Sequence, residues 1–146
     1  MIINLYAIII MAFTHQDTEC MALALKLSQF GRKAVGANPM VGCVISRDDK
    51  VIAQDYHHLY GEAHAEINAL KKINYKGENT KVYITLEPCS HFGKTPPCAD
   101  ALIRAGVKKV FIAMLDPNPL VCGSGVRALQ DNGIEVEVGL LEVEAN

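Results

Sequence analysis

The chain has 146 residues, of which half are apolar and 21% are charged, and its formal net charge is −2. This length suits one domain with a packed core, and the composition excludes a disordered chain. The mildly acidic balance provides no broad basic surface for nucleic acid, so local groups have to hold any anionic ligand.

The first thirteen residues, 1–13, are almost all apolar. No basic residues precede the apolar run and no clear cleavage site follows it, so the segment fits a secretory signal poorly, and it is too short to span a bilayer. We expect either an extra strand or an extension upstream of a start at Met11. A single functional domain is expected over residues 14–146.

Hydrophobic periodicity and turn residues predict helices and strands that alternate along most of the chain. In chain order, the predicted elements are a helix over 18–34, a hairpin over 41–57, a helix over 63–73, a strand over 81–86, a helix over 97–106, a strand over 107–114, a helix over 125–133 and a strand over 134–139. The alternation after the hairpin indicates an α/β domain with a helix-covered sheet, and the later strands are expected to be parallel.

Five cysteines, an odd number, occur in a chain that is not a small disulfide scaffold. This usage indicates a reducing compartment, the cytoplasm, where clustered cysteines suggest metal binding or catalysis rather than disulfides. Cys20, Cys43 and Cys122 are interpreted as buried small apolar residues or bystanders.

Potential metal ligands lie near the predicted ends of the elements. They are His57, His58, His64, His91, Cys89 and Cys98. His64 and Cys98 each start a predicted helix, and Cys89 follows the strand between those helices, so these three are expected to meet at one edge of the sheet. Two thiolates and a neutral imidazole balance the charge of Zn²⁺ and leave a fourth position for water, as in catalytic zinc sites.

Glu66 lies two residues after His64, at the start of a predicted helix. Its side chain is long enough to reach back toward a metal site and to act there as a general acid–base, so Glu66 is the candidate catalytic residue. Alone, His-x-Glu is more typical of a helix cap. Together with Pro88 and the two cysteines, it resembles the H-x-E…P-C-x-x-C signature of zinc deaminases. The spacing differs, because eight residues instead of two separate Cys89 from Cys98.

Four strings occur here in order: "NPMVGCVI", "GEAHAE", "TLEPCSHFGKTPPC" and "DPNPLVCGSG". They resemble the deaminase domain of the bifunctional riboflavin-biosynthesis deaminase–reductases, over about residues 18–144. The resemblance implies a cytidine-deaminase-like fold, which is a three-layer α/β/α sandwich with a central, mostly five-stranded mixed sheet. It also implies one Zn²⁺ per chain, held by His64, Cys89 and Cys98, with Glu66 moving protons.

The resemblance implies substrate contacts as well, for Asn38, His57, Lys94, Asp116 and Asn118. Asn38, Asp116 and Asn118 also suit proline-rich turns, so a purely structural role stays open for them. Lys94 is a natural phosphate partner, and Thr95 can donate a hydroxyl hydrogen bond. His91 is interpreted as lying near the substrate, either in contact or behind a contacting group, because a fourth protein ligand would close the zinc site to water.

The implied reaction is hydrolytic deamination of a diaminopyrimidinone that carries a ribosylamino phosphate. We expect a homo-oligomer that binds neither nucleic acid nor membranes. No G-x-G-x-x-G follows a strand, so neither NADP binding nor a reductase domain is expected, and a separate reductase is a possible partner. The alternatives are a cytidine, deoxycytidylate or tRNA adenosine deaminase, or a structural zinc module with four protein ligands, for example with His91 recruited.

Overall fold

The computed structural model describes residues 13–32, 36, 38–93 and 96–146, so the predictions for residues 1–12, Lys94 and Thr95 lie outside the described residues. The helices are α1 (His15–Ser28), followed by a 3₁₀ turn (Gln29–Gly31), α2 (Ala65–Lys72), α3 (Cys98–Ala105), α4 (Ser124–Asp131) and α5 (Glu142–Ala145). The strands are β1 (Gly42–Arg47), β2 (Lys50–Tyr56), β3 (Lys81–Leu86), β4 (Lys109–Met114) and β5 (Glu135–Val138).

These strands form one mixed sheet with the order β2-β1-β3-β4-β5. Strand β1 is antiparallel to both β2 and β3, whereas β3, β4 and β5 are parallel to one another. The predicted five-stranded mixed sheet and the parallel later strands are therefore confirmed.

The two sides of the sheet bury two separate apolar clusters, which makes the three layers. Along β3, Val82 and Ile84 face one cluster under α2, α3 and α4, while Tyr83 between them faces the other cluster under α1. Successive side chains of a strand point to opposite faces, so a strand buried on both faces reads as a continuous apolar run. Tyr83 stacks on Phe111 of β4 with ring centroids 4.8 Å apart.

Helix α1 begins three residues earlier and ends six residues earlier than the predicted range of 18–34. A capping box explains the start: Asp17 N donates to Thr14 Oγ1 at 3.0 Å, and Thr14 N donates to the Asp17 carboxylate at 3.0 Å. Asp17 is itself buried and accepts a hydrogen bond of 2.7 Å from the Tyr83 hydroxyl across the core.

Close packing of α1 on β1 depends on Gly42. A Cβ at this position would lie 1.9 Å from the carbonyl oxygen of Ala24, so only glycine allows this contact between helix and strand. Cys20 and Cys43 are buried as expected, whereas Cys122 is exposed. Within the described residues, no helix combines the length and apolar character that crossing a bilayer requires.

Candidate active site

The candidate site lies at the sheet edge where β2 and β3 end. Because β1 is antiparallel to both of its neighbours, β2 and β3 run in the same direction and finish at the same edge. Helices α2 and α3 both begin near this edge, which brings their first residues together. The expected meeting of His64, Cys89 and Cys98 follows from this topology.

These three side chains form a compact cluster of potential metal ligands, with the ligand atoms all within 4.8 Å of one another. His64 is the N-cap of α2, and its Nδ1 lies 3.2 Å from Cys98 Sγ and 3.9 Å from Cys89 Sγ. Cys98 is the first residue of α3, and its backbone N–H donates to Cys89 Sγ at 3.2 Å.

The thiols of Cys89 and Cys98 differ in their pKa. The hydrogen bond with Cys98 lowers the pKa of Cys89 well below that of an ordinary thiol, and the same bond raises the pKa of Cys98. Metal binding requires both sulfurs as thiolates, so a divalent cation would release thiol protons on binding. One imidazole nitrogen and two sulfurs match the ligand set of zinc sites that keep an open fourth position, so the residues present fit zinc.

Glu66 is the second residue of α2 and is only 3% exposed. Its Oε2 atom is buried without a hydrogen-bond partner among the described residues. Burial raises the pKa of Glu66 to about 7. A buried, unpartnered carboxylate is costly unless a ligand supplies its partner, so this atom indicates a place where a bound molecule is meant to sit.

A cavity of about 400 Å³ opens beside the cluster. The polar side chains that line it include Asn38, His57, Glu62, His64, Glu66, Glu87, Cys89, His91 and Asp116. His64 and Glu66 face the same cavity although they are two positions apart, because His64 still has extended backbone angles before the helix begins.

His57 and Asn38 are joined on one wall of this cavity. The Nδ1 atom of His57 lies 3.1 Å from the carbonyl oxygen of Ala63, which can only accept, so a neutral His57 carries its proton on Nδ1. Its Nε2 atom then accepts from Asn38 Nδ2, 3.5 Å away. The donor half of the Asn38 amide is therefore directed at His57.

The loop after β4 contributes Asp116 but not Asn118 to the cavity wall. Asn118 is exposed, and its side-chain oxygen accepts from the backbone N–H of Leu120 at 3.0 Å, which is a turn contact. His91 is exposed and lines the cavity, and it is not a member of the ligand cluster found in the described part of the chain.

Sequence reasoning missed one residue of this site, Glu87. It lies directly after β3, it is 6% exposed, and its carboxylate accepts hydrogen bonds from backbone N–H groups of the segment 116–126. The available signal was a carboxylate placed between a buried strand and the Pro-Cys pair.

A second network holds the loop between β2 and α2, which carries His57. Asp55 pairs with His58 and with Lys72, whose Nζ lies 3.1 Å from the carboxylate. Burial raises the pKa of Asp55, but the hydrogen bonds from the backbone N–H of Tyr56 and from the side chains of His58 and Lys72 outweigh it, so the net pKa is lowered.

We expect Asp55→Asn to lower the free energy of unfolding by about 1 kcal/mol at pH 7, through loss of charged hydrogen bonds. A carboxylate with a lowered folded pKa stabilises the protein above its unfolded pKa of about 3.9, and that contribution disappears as the pH falls through the folded value. The difference between the variant and the unmodified protein should therefore close as the pH drops from about 5 to about 3. Urea denaturation across this range measures it.

The exposed carboxylate of Glu78 offers the control for this prediction. Glu78→Gln should change stability little at every pH, because exposed charges contribute little. A stability difference for Asp55→Asn that stays constant down to pH 3 would contradict the assigned network.

Residues 14–114 match the family model described as the cytidine and deoxycytidylate deaminase zinc-binding region. The chain belongs to this family. The match includes the His64, Cys89 and Cys98 cluster, so the site is that of a zinc-binding deaminase domain, which these three residues equip to hold a zinc ion. The family assignment confirms the predicted zinc-deaminase signature.

Two relatives define the branch. The chain is 50% identical over 130 residues to diaminohydroxyphosphoribosylamino-pyrimidine deaminase from Buchnera aphidicola subsp. Schizaphis graminum, covering 89% of this chain and 88% of the relative. It is 52% identical over 130 residues to riboflavin biosynthesis protein RibD of Escherichia coli, covering 89% of this chain but 35% of that protein.

A solved structure agrees with these relatives. RibD from Acinetobacter baumannii superposes with a TM-score of 0.87 at 48% identity, over 89% of this chain and 36% of that one. The chain thus spans nearly the full length of the Buchnera deaminase and about a third of the longer RibD proteins.

Proposed function

We propose that the domain of residues 14–146 deaminates a phosphorylated diaminopyrimidine of riboflavin biosynthesis by hydrolysis. The observation that carries this proposal is the unpartnered, buried Oε2 of Glu66, which lines the same cavity as the cluster of His64, Cys89 and Cys98. The Buchnera relative, 50% identical, bears the name of that deaminase. Deamination alone is assigned to this domain.

His64, Cys89 and Cys98 would hold a zinc ion, and such an ion would supply a Lewis acid that makes the attacking water a stronger nucleophile. Glu66 takes the two protons of the attacking water in turn: the first passes to the ring nitrogen as water adds, and the second, from the resulting hydroxyl group, passes to the departing amino group. Water adds to the ring carbon that bears the amino group, the carbon–nitrogen bond breaks, and ammonia leaves. The buried setting of Glu66 keeps bulk water from competing for these protons.

Substrate contacts are proposed around the cavity wall. Since His57 takes the donor half of the Asn38 amide, its Oδ1 is left to accept a hydrogen bond from the substrate. Asp116 offers a carboxylate on the wall formed by the loop after β4, and His91 lines the cavity next to the cysteines. Asn118 makes a turn contact, so its direct role stays a prediction.

Lys94 and Thr95 stay predictions for binding the substrate phosphate, since they lie outside the described residues. The homo-oligomeric state and the separate reductase partner also remain predictions. A cytoplasmic location is proposed, because thiol ligands such as Cys89 and Cys98 need a reducing compartment to stay available for zinc.

The test is ammonia release by the zinc-loaded protein from the diaminopyrimidinone ribosylamino phosphate, with cytidine, deoxycytidylate and tRNA carrying the target adenosine as parallel substrates. We expect turnover of the riboflavin precursor and at least about 100-fold lower kcat/KM for the others, because a site built to pair polar groups rejects ligands that leave them unpaired. Preferential turnover of cytidine or deoxycytidylate would overturn the substrate assignment while leaving the deaminase assignment in place.

A further inference from the structure

The Glu87 carboxylate is saturated with backbone hydrogen bonds. One oxygen, Oε1, accepts from the N–H of Asp116 at 3.1 Å and of Gly123 at 2.9 Å. The other oxygen, Oε2, accepts from the N–H of Gly125 at 2.8 Å and of Val126 at 3.3 Å. A carboxylate offers about four lone-pair directions, and here the backbone fills all of them. Glu87 therefore has no acceptor left for a substrate, although it lines the cavity.

The carboxylate also occupies the N-terminus of α4, where free N–H groups would otherwise attract an anion. Gly123 is the N-cap of that helix, and Gly125 lies in its first turn. The substrate phosphate therefore has to bind elsewhere than at α4, even though the "GSG" string at the start of this helix looks suited to an anion.

Gly125 makes this close approach possible. A Cβ on Gly125 would lie 2.2 Å from the carbonyl oxygen of Pro88 and 3.1 Å from Glu87 Cγ. Only glycine lets the start of α4 pack against the chain between β3 and Cys89. The segment 116–126 is thus clamped to the end of β3 at a single acidic side chain.

We propose that Glu87 is a positioning residue for substrate binding: it fixes the backbone from Asp116 to Val126 and so holds the Asp116 carboxylate at the cavity wall. This inference rests on the proposed function, in which Asp116 contacts the substrate. Glu87 acts through the backbone, so its removal should weaken binding and leave the proton transfers of Glu66 nearly intact.

The variant Glu87→Gln tests the positioning role. It replaces one carboxylate oxygen by an amide NH₂ group, a donor that would face two backbone N–H groups. The variant should still fold, since Ser90 Oγ also donates to Ser124 Oγ at 2.8 Å and joins the chain after Cys89 to the first residue of α4. We expect KM to rise by about tenfold or more, kcat to change by less than about threefold and zinc to stay near one per chain.

A matched control separates positioning from a general loss of stability. Asp17 is also a buried carboxylate that accepts from a backbone N–H, but it belongs to α1, on the opposite face of the sheet. Asp17→Asn should lower Tm without raising KM. Glu87→Asp keeps the acceptors but shortens their reach, so its KM should fall between those of the unmodified protein and Glu87→Gln.

A double-mutant cycle decides whether Glu87 acts through Asp116. In an Asp116→Ala background, Glu87→Gln should raise KM by less than about twofold further, because the contact that it positions is already absent. A full tenfold rise in both backgrounds, or an unchanged KM in Glu87→Gln, would overturn the proposal.

Hydrogen exchange gives a readout that does not require activity. Glu87→Gln should speed amide exchange in segment 115–126 and leave α1 unchanged, because the four clamping bonds all end in that segment. An unchanged rate of amide exchange in this segment would contradict the positioning role of Glu87. Failure of the proposed function would give a different result, because the unmodified zinc-loaded protein would then release no ammonia from the pyrimidine. The comparison of amide exchange rates would still show whether Glu87 holds the loop.

Discussion

Glu66→Gln is expected to give a folded, zinc-loaded protein whose kcat is lower by roughly 10³-fold to 10⁴-fold. Glutamine has nearly the same size and shape as glutamate, so the apolar packing of α2 is kept. Its amide cannot take a proton from water or return one to the departing amino group. Because the proposed reaction needs several proton transfers at this one side chain, its loss should slow more than one step.

Ammonia release and zinc content, measured on the same samples, check this prediction. Glu66→Asp is the informative companion, because it keeps the carboxylate but withdraws it by one methylene; its kcat should lie between those of the unmodified protein and Glu66→Gln. Turnover of Glu66→Gln within about tenfold of the unmodified protein would show that the proton carrier is another group.

The position of Glu66 also shows why so much of this site could be predicted from the sequence. His64 and Cys98 open helices, and Cys89 follows a strand, so the alternation of helices and strands was enough to place the three at one sheet edge. The reach of Glu66 back to His64 follows from the extended backbone at an N-cap, which the position of the predicted helix implied. The ends of the predicted elements and their order along the chain were therefore enough to predict this part of the site.

Glu87 could not be assigned in the same way. Its partners lie 29 to 39 residues further along the chain, and they are backbone N–H groups, which every residue except proline possesses. The amino-acid sequence of the segment 116–126 does not show to which carboxylate its backbone N–H groups will donate. The tautomer of His57 could not be predicted from the sequence either, since it depends on a contact with the carbonyl oxygen of Ala63 that only the folded loop provides.

Helix boundaries failed for a different reason. The predicted start of α1 followed the apolar periodicity, whereas the actual start follows the capping box of Thr14 and Asp17, which lies in a polar stretch. Likewise, the Asn118 side-chain oxygen accepts from the backbone N–H of Leu120 in a turn contact, and the substrate contact that the family resemblance implies for Asn118 stays a prediction. In both cases hydrogen bonds of polar side chains to the backbone, and not burial, set the local structure.

Cys98→Ser is expected to abolish zinc binding and to lower Tm in the same variant. Cys98 is 2% exposed, it opens α3, and its backbone N–H donates to Cys89. Serine fits the space and suits a helix start, so the apo fold should persist. A hydroxyl is a much poorer zinc ligand than a thiolate, and a site left with His64 and Cys89 has only two of its three protein ligands.

Metal analysis should find about one zinc per chain in the unmodified protein and less than about 0.1 in Cys98→Ser. A chelator should lower Tm of the unmodified protein and leave that of the variant unchanged, because a ligand that binds only the folded state stabilises it by an amount that grows with the ratio of free ligand to Kd.

Cys20→Ser is the matched control for this loss. Cys20 is equally buried at 2% exposed, but it lies in the cluster under α1 on the other face of the sheet. This variant should keep its zinc and its response to chelator even where burial of the new hydroxyl lowers Tm. Zinc retained in Cys98→Ser at the level of Cys20→Ser would rule out the three-ligand site, because Cys20 is as buried as Cys98 but does not belong to the ligand cluster. The same comparison separates the metal's contribution to stability from the cost of placing a hydroxyl in the core.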